Sequence, residues 1–256
     1  MGLITFMSDF GFKDPYVAAV KARIFSMNHT VPVVDISHEI EHFNIAHAAY
    51  VLKTVFREFP QGSVHLVCVN VPITGDERLV VVKLEEHYFV GVDNGFFSLL
   101  SDKNPTAIVE IVKDAQYSKV FPEKGVMAKT AVALASGTPI YNLGKQVSEL
   151  HKMLNRQVRL GKDQIAGHVI HVDNYGNLIS NIQEADFTKI RDGRQFSIRI
   201  SRYKVSAVYD SYNHLEDGEI LPIFNSSGHL EIAIRHGNAA QLLGMGYDSP
   251  VYIDFI

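Results

Sequence analysis

Residues 3–17 read LITFMSDFGFKDPYV, and the fold class can be worked outward from them. Leu3–Met7 is a strand candidate that ends in the polar turn Ser8-Asp9-Phe10-Gly11. Asp14 and Pro15 then supply the N-cap and first position of a helix reaching about Ser26. The same alternation continues. Val31–Ile36 reads as a buried strand, Asn44 caps an amphipathic helix to about Phe59, and Ser63–Val69 is a third strand. Leu79–Leu84 and Tyr88–Val92 read as a hairpin pair and Ala107–Val112 as a further strand, while Gly137 stops a short Ala-rich helix over Ala128–Ser136. Residues 1–155 are therefore expected to form an α/β domain with a layered, largely parallel sheet. Ligands of such a sheet sit at the carboxyl ends of its strands.

The pattern changes after residue 155. Residues 156–163 are polar and read as a linker, and residues 164–256 are rich in strands. Ile165–Val172, Phe196–Ile200, Gly218–Phe224, Leu230–Arg235 and Pro250–Phe255 are separated by turn sequences such as DNYGN at 173–177 and NSSG at 225–228. The expectation is a small all-β domain, barrel or sandwich.

Composition narrows the function classes. The 256 residues are 46% hydrophobic and 20% charged, enough for a substantial core, and the net charge of −4 offers no basic surplus for a nucleic acid. One cysteine, Cys68, excludes an internal disulfide framework and a Cys-rich zinc site and fits the cytoplasm. No apolar run approaches the length of a membrane span, and the opening residues do not resemble a signal peptide.

Residues 38–42, HEIEH, match a zinc-protease pattern with His47 nearby. That chemistry needs both histidines on one helical face, and here the motif spans the loop between a strand and the Asn44 cap, so the reading is rejected. Neither a dinucleotide glycine fingerprint nor a P-loop is present. What remains is a set of carboxylates and amides in turns at strand ends: Asp9, Asp93-Asn94, Asp173 with Asn177, and Asn225. Each is also a common Asx-turn or cap residue; a carboxylate so placed can equally take both hydroxyls of a ribose, and an amide a base edge. Phe43, Tyr175 and Tyr209 offer flat faces for a base or, just as well, for a core.

Taken in order, the segments resemble the S-adenosylmethionine (SAM) hydrolases, or SAM hydroxide adenosyltransferases, relatives of fluorinases and chlorinases. The resemblance rests on SDFG at 8–11 with DPYV at 14–17 and Lys21, on VDISH at 34–38 with Phe43, on FPQGSVH at 59–65, and on VDNG at 92–95. It continues with VDNYGNLISN at 172–181 and NSSGHLEIA at 225–233. It implies an α/β domain, a C-terminal β-barrel and a homotrimer whose ligand lies between one subunit's first domain and its neighbour's second. By motif position, Asp9 would bind the ribose diol and Phe43 would wall the sugar or methionine chain. Asp173 and Ser227 would hold the methionine head group, and Tyr175 and Tyr209 would sandwich the adenine. Asn177, Asn238 and Ala239 would meet its edge or the adjoining ligand. No cofactor is implied beyond SAM or adenosine as substrate or ligand.

The family reaction is displacement at the ribose 5′ carbon, for which an Asp, an Arg and a His orient and activate water. This sequence departs at two of the three. Asn70 stands at the Asp position and can orient water but not take its proton; Pro122 stands at the His position. Arg78 supplies the arginine if the loop is allowed one extra residue. The catalytic candidates are thus Arg78 and Asn70, with Asp76, Glu77 or Glu123 as the carboxylate of a rewired hydrolase. A SAM- or adenosine-binding protein without turnover is the alternative. A halogenase is disfavoured because Glu123, at or beside the halide position, would repel an anion.

Overall fold

The computed structural model describes residues 2–72, 77–113, 120–154 and 156–256. The chain forms two compact units, Met1–Asn155 and Arg156–Ile256. Unit 1 contains β1 (Ile4–Ser8), α1 (Tyr16–Met27), β2 (Val33–Ser37), α2 (Ile45–Lys53), β3 (Val64–Cys68), β4 (Leu79–Leu84) and β5 (His87–Val92). It continues with α3 (Phe96–Leu100), β6 (Ala107–Ile111), a π-helical turn at Glu123–Met127, α4 (Ala128–Ala135) and β7 (Gly144–Gln146).

The sheet of unit 1 runs β2-β1-β3-β5-β4-β6-β7. Its first four strands pair in parallel and the remaining pairs are antiparallel. It is therefore a mixed sheet, which corrects the expected largely parallel one: the β4–β5 hairpin reverses chain direction and β6 and β7 extend from its reversed strand. Alternation along each strand divides the apolar side chains between two faces. Ile4, Phe6, Leu66 and Val81 pack with Val20 and Ile24 of α1 and Ala131 of α4. Met7, Val67, Val80 and Phe89 pack with Leu52 of α2 and Leu100 of α3. Phe6 and Phe89 are fully buried, so truncating either to Ala should cost about 3–5 kcal/mol. Strand β2 was expected to be buried, but as the edge strand its five residues are partly or largely exposed. Asn44 caps α2 as expected, its side chain accepting from the His47 N–H at 2.9 Å.

The second face also buries a histidine pair. Thr5 Oγ1 lies 2.7 Å from His65 Nδ1, and His65 Nε2 lies 3.2 Å from His87 Nδ1. The Phe89 ring stacks on His65 with centroids 4.8 Å apart. Burial first, then the neighbouring His87, pushes His65 down to about 3.

Unit 2 contains β8 (Arg159–Leu160), β9 (Gln164–Val172), β10 (Leu178–Gln183), α5 (Glu184–Arg191), β11 (Phe196–Ile200), β12 (Tyr203–Val205), β13 (Ile220–Phe224), β14 (His229–Ile234), α6 (Ala239–Leu243) and β15 (Pro250–Phe255). Its eight strands make one antiparallel, barrel-like sheet in the order β12-β11-β15-β9-β10-β14-β13, with β8 pairing β9. The segment expected as a linker thus carries the short strand β8. The sheet wraps a core of Ile165, Leu178, Ile198, Ile232 and Ile253, capped by Phe187 of α5. No helix among the described residues is long and apolar enough to cross a membrane.

Candidate functional site

Because β2, β1, β3 and β5 are adjacent and parallel, their carboxyl ends emerge side by side, and the loops that follow them meet. Asp9 follows β1, Phe43 lies between β2 and α2, Asn70 follows β3, and Asp93 and Asn94 follow β5. Asp9 Oδ2 accepts the Phe43 N–H at 3.0 Å and the Asn70 N–H at 3.1 Å. Both donors are in the left-handed region, Phe43 at φ 64° and Asn70 at φ 49°, a conformation uncommon for such residues and found where the backbone is held for a purpose. Asn94 Nδ2 donates to the Val69 and Asn70 carbonyls at 3.4 Å, tying the β5 end to the β3 end. Phe43 is 73% exposed.

Beneath this cradle Ser8 Oγ lies 2.7 Å from His38 Nδ1, and His38 Nε2 lies 3.1 Å from the Asp35 carboxylate, which Lys21 engages at 2.5 Å. His38 is therefore a buried brace between β1 and β2. Among the described residues no group of His, Cys, Asp and Glu is arranged to hold one.

The two catalytic candidates are placed differently. Asn70 belongs to the Asp9 cradle. Arg78 precedes β4, which is antiparallel to β5, so its guanidinium reaches the largely buried Asp93 carboxylate and the Glu149 carbonyl. Asp93 also accepts the His151 N–H at 2.8 Å, so Arg78 pins three chain segments together. Asp76 lies outside the described residues.

Glu123 opens the π-helical turn after Pro122 and is 6% exposed, and its Oε2 has no hydrogen-bond partner among the described residues. Burial raises its carboxyl to about 7, opposed in part by a backbone N–H and reinforced by repulsion from Asp9 and Glu77. Cys68, at the end of β3, is pushed well up by burial and then by Glu123 and Asp9, which makes it an inert thiol. Phe121, just before the turn, packs its ring on Phe10 with centroids 5.9 Å apart, which sets the start of this turn beside the Asp9 loop.

Unit 2 holds a cavity of about 660 Å³ lined by Asp173, Tyr175, Asn177, Tyr212, Arg235 and Asn238, with other residues of the same loops. Asp173 Oδ1 accepts the Tyr175 and Asn177 N–H groups at 2.9 and 2.8 Å, and its Oδ2 takes the Asn177 side-chain amide at 3.0 Å. Gly176, at φ +85°, packs so closely on Asn238 that a Cβ there would lie 2.2 Å from it. Asn238 in turn caps α6, accepting the Gln241 N–H at 2.9 Å, and Ala239 begins that helix fully buried.

Tyr209 packs against Leu221, Ile223 and Ala233, two of which line the cavity. Ser227 sits in the 225–228 turn with its N–H on Asn225 Oδ1 at 3.0 Å. Residues that the sequence reading missed are Tyr212, Arg235 and His236 on the cavity wall, and Glu231 behind it. The buried Glu231 carboxylate accepts the Tyr212 hydroxyl at 2.8 Å and the Asn225 amide at 3.2 Å. Burial, then Glu231, raises the Tyr212 phenol. Sequence alternation hid Glu231: in HLEIAI at 229–234 it falls between the core residues Leu230 and Ile232, on the face of the strand that reads as the outer one.

An α/β unit with an acidic cradle at its parallel strand ends, followed by an antiparallel barrel-like unit with a polar, aromatic cavity, defines a two-domain small-molecule protein. Residues 4–144 match the family model for the SAM hydroxide adenosyltransferase N-terminal domain, and residues 167–252 match that for its C-terminal domain. The chain belongs to this family. It is 32% identical to the (R)-S-adenosyl-L-methionine hydrolase of Methanocaldococcus jannaschii, over 99% of this chain and 96% of that one. It is 30% identical to the (R)-S-adenosyl-L-methionine hydrolase of Thermus thermophilus, over 97% and 98%. A solved structure of an uncharacterized conserved protein from Thermotoga maritima superimposes with a TM-score of 0.91 at 29% identity, covering 98% of this chain and all of that one.

Proposed function

We propose that this protein is an enzyme that hydrolyses SAM to adenosine and methionine by displacement at the ribose 5′ carbon. The observation that carries the reading is the match of both units, end to end, to proteins named as SAM hydrolases. The geometry is consistent with it. Asp9, held by two backbone N–H groups, keeps its second oxygen for the ribose diol, with Phe43 beside it. In unit 2, Asp173 and Ser227 serve the methionine head group, Tyr175 and Tyr209 the adenine faces, and Asn177, Asn238 and Ala239 the adenine edge.

The sulfonium is already a good leaving group. The protein's tasks are in-line positioning and a desolvated water. Asn70 orients that water, and Arg78 acts as a positioning residue through Asp93. No cofactor takes part. Since these residues are divided between the two units, the reading includes a cytoplasmic homotrimer in which neighbouring subunits complete each site. Light scattering that gave a monomer would remove this element. A halide nucleophile is disfavoured because the Glu123 carboxyl would repel an anion.

Asn70 and Pro122 favour a second reading, a SAM- or adenosine-binding protein without turnover. The two separate on incubation of the purified protein with SAM. Release of adenosine and methionine, followed by chromatography, supports the enzyme. Thermal stabilisation by SAM without release supports the binder.

A further inference from the structure

The Asp and His that would activate water are replaced here by groups that cannot accept its proton, yet hydrolysis must dispose of one. We infer that Glu123 is the general base of this enzyme, taking the proton of the water that attacks the 5′ carbon. The inference rests on the hydrolase reading above.

Three observations carry it. The Glu123 carboxyl is 94% buried, taking its 6% exposure, and its Oε2 has no partner among the described residues. An unsatisfied buried carboxyl oxygen is costly and persists where it has work in another state of the protein. It also stands in the right place. Phe121, two residues before Glu123, packs its ring against Phe10, the residue after Asp9, with centroids 5.9 Å apart, so the turn that Glu123 opens lies by the loop that presents Asp9. Finally, the neighbouring carboxylates are otherwise engaged. Asp9 accepts two backbone N–H groups, Asp93 is paired with Arg78, and Glu77 has the Lys113 ammonium at 4.0 Å. The π-helical turn that begins with Glu123 is the kind of local irregularity that recurs at functional sites.

The step balances without a co-reactant. Water oxygen forms a bond to the 5′ carbon as the carbon–sulfur bond breaks, and its electron pair neutralises the sulfonium to give methionine. One water proton passes to Glu123 and then to solvent, so SAM and water give adenosine, methionine and a proton. A base is most effective when it titrates near the working pH, and the carboxyl raised to about 7 meets that condition. Burial sets its titration first, opposed by its own backbone N–H, and the charged groups that act on it are Asp9 after β1 and Glu77 before β4. On its own segment Lys124 and Lys129 are exposed, and on α1, which packs against the turn, Lys21 is committed to Asp35. Arrival of the cationic sulfonium should hold Glu123 ionised, so its influence falls on kcat/KM at a higher pH than on kcat.

The experiment is a pH series of SAM hydrolysis for the wild type, Glu123→Gln and Glu123→Asp, with SAM affinity measured by calorimetry and folding by circular dichroism. The wild-type kcat/KM should rise through a midpoint near 7. Glu123→Gln should lose roughly 100- to 10,000-fold in kcat, bind SAM within about threefold of wild type, and lose the pH inflection. Glu123→Asp should retain the inflection with reduced kcat. Near-wild-type kcat with an unchanged profile in Glu123→Gln would overturn the role of Glu123 while leaving the hydrolase reading intact. A wild type that binds SAM without releasing adenosine would overturn both. If Glu123→Gln fails to fold, Glu123→Asp decides: an unshifted rate and profile there also overturns the inference.

Discussion

Replacing Asp9 tests the cradle and the ligand reading together. Asp9→Ala removes the acceptor of two N–H groups, those of Phe43 and Asn70, at 3.0 and 3.1 Å. A hydrogen bond to a charged group contributes about 1.5–3 kcal/mol, but these loops are partly open to water, which can replace the lost partner. The lower end applies to each bond, and the left-handed backbone at both donors loses its restraint. The expected loss of stability is therefore about 2–4 kcal/mol. Asp9→Asn keeps an amide oxygen for the two N–H groups and forfeits only the charge, for roughly 1 kcal/mol. Binding should separate the variants differently. The second Asn atom is an NH2 donor facing two ribose donors, so Asp9→Asn should weaken SAM about 10- to 100-fold, and Asp9→Ala at least as much. Urea unfolding at fixed protein concentration and SAM titration by calorimetry measure the two quantities. Unchanged stability in Asp9→Ala would refute the cradle; unchanged affinity in both variants would remove Asp9 from the site.

Three other outcomes are expected. His65 is held near 3 when folded, against about 6.5 unfolded, so the unfolded chain alone takes up its proton between those values. Stability should fall as pH drops below 6.5, by up to about 1.4 kcal/mol per pH unit from this group, and His65→Gln should flatten the slope of the urea midpoint between pH 6.5 and 4. Glu123 has the opposite sense: a folded value near 7 above an unfolded one near 4.5 favours folding below 4.5, an advantage lost as pH rises through 7. Glu123→Gln should therefore be more stable than wild type at pH 8, by on the order of 2–3 kcal/mol, and the gain should vanish near pH 4, as thermal melts at the two pH values would show. Gly176→Ala should clash with the Asn238 cap 2.2 Å away and strain a backbone at φ +85°. It should destabilise unit 2 by about 1–3 kcal/mol and weaken SAM binding, both measurable in one calorimetric and thermal-melt series.

Much of the fold could be read in advance because local signals were strong. Asn44 and Gly137 stand where a helix begins and ends, and β4 and β11 occupy the ranges expected for them. What could not be read was pairing direction, which depends on partners far apart in sequence. Nothing in the sequence of β6 states that it runs antiparallel beside β4. Strand β10 was recognised only as part of a motif, since LISNIQ at 178–183 mixes polar residues into a strand whose inward set is Leu178, Ser180 and Ile182. At the site, turn carboxylates were visible as residue types, and Asp9 and Asn70 proved to be neighbours because parallel strands bring their ends together. Tyr212 and Glu231 escaped notice because their bond spans a loop and a strand core.

On the hydrolase reading, Asn70 and Pro122 become intelligible together with Glu123. The Asn70 N–H already serves Asp9, and Asp9 and Glu77 already repel Glu123. A carboxylate in place of Asn70, next to Asp9, would add a further negative charge to the same strand ends. It would drive Glu123 higher still, leaving it protonated at neutral pH and useless as a base. An amide at position 70 keeps a water-orienting group and spares the cluster that charge. A proline at 122 in turn sets the backbone that starts the π-helical turn, with φ −62°, and places Glu123 at its first position. On the hydrolase reading, the residues at positions 70 and 122 are thus tied, by charge and by backbone geometry, to the carboxyl of Glu123. Asn70→Asp should then lower turnover at pH 7 rather than restore it, and recover it only as the pH is raised.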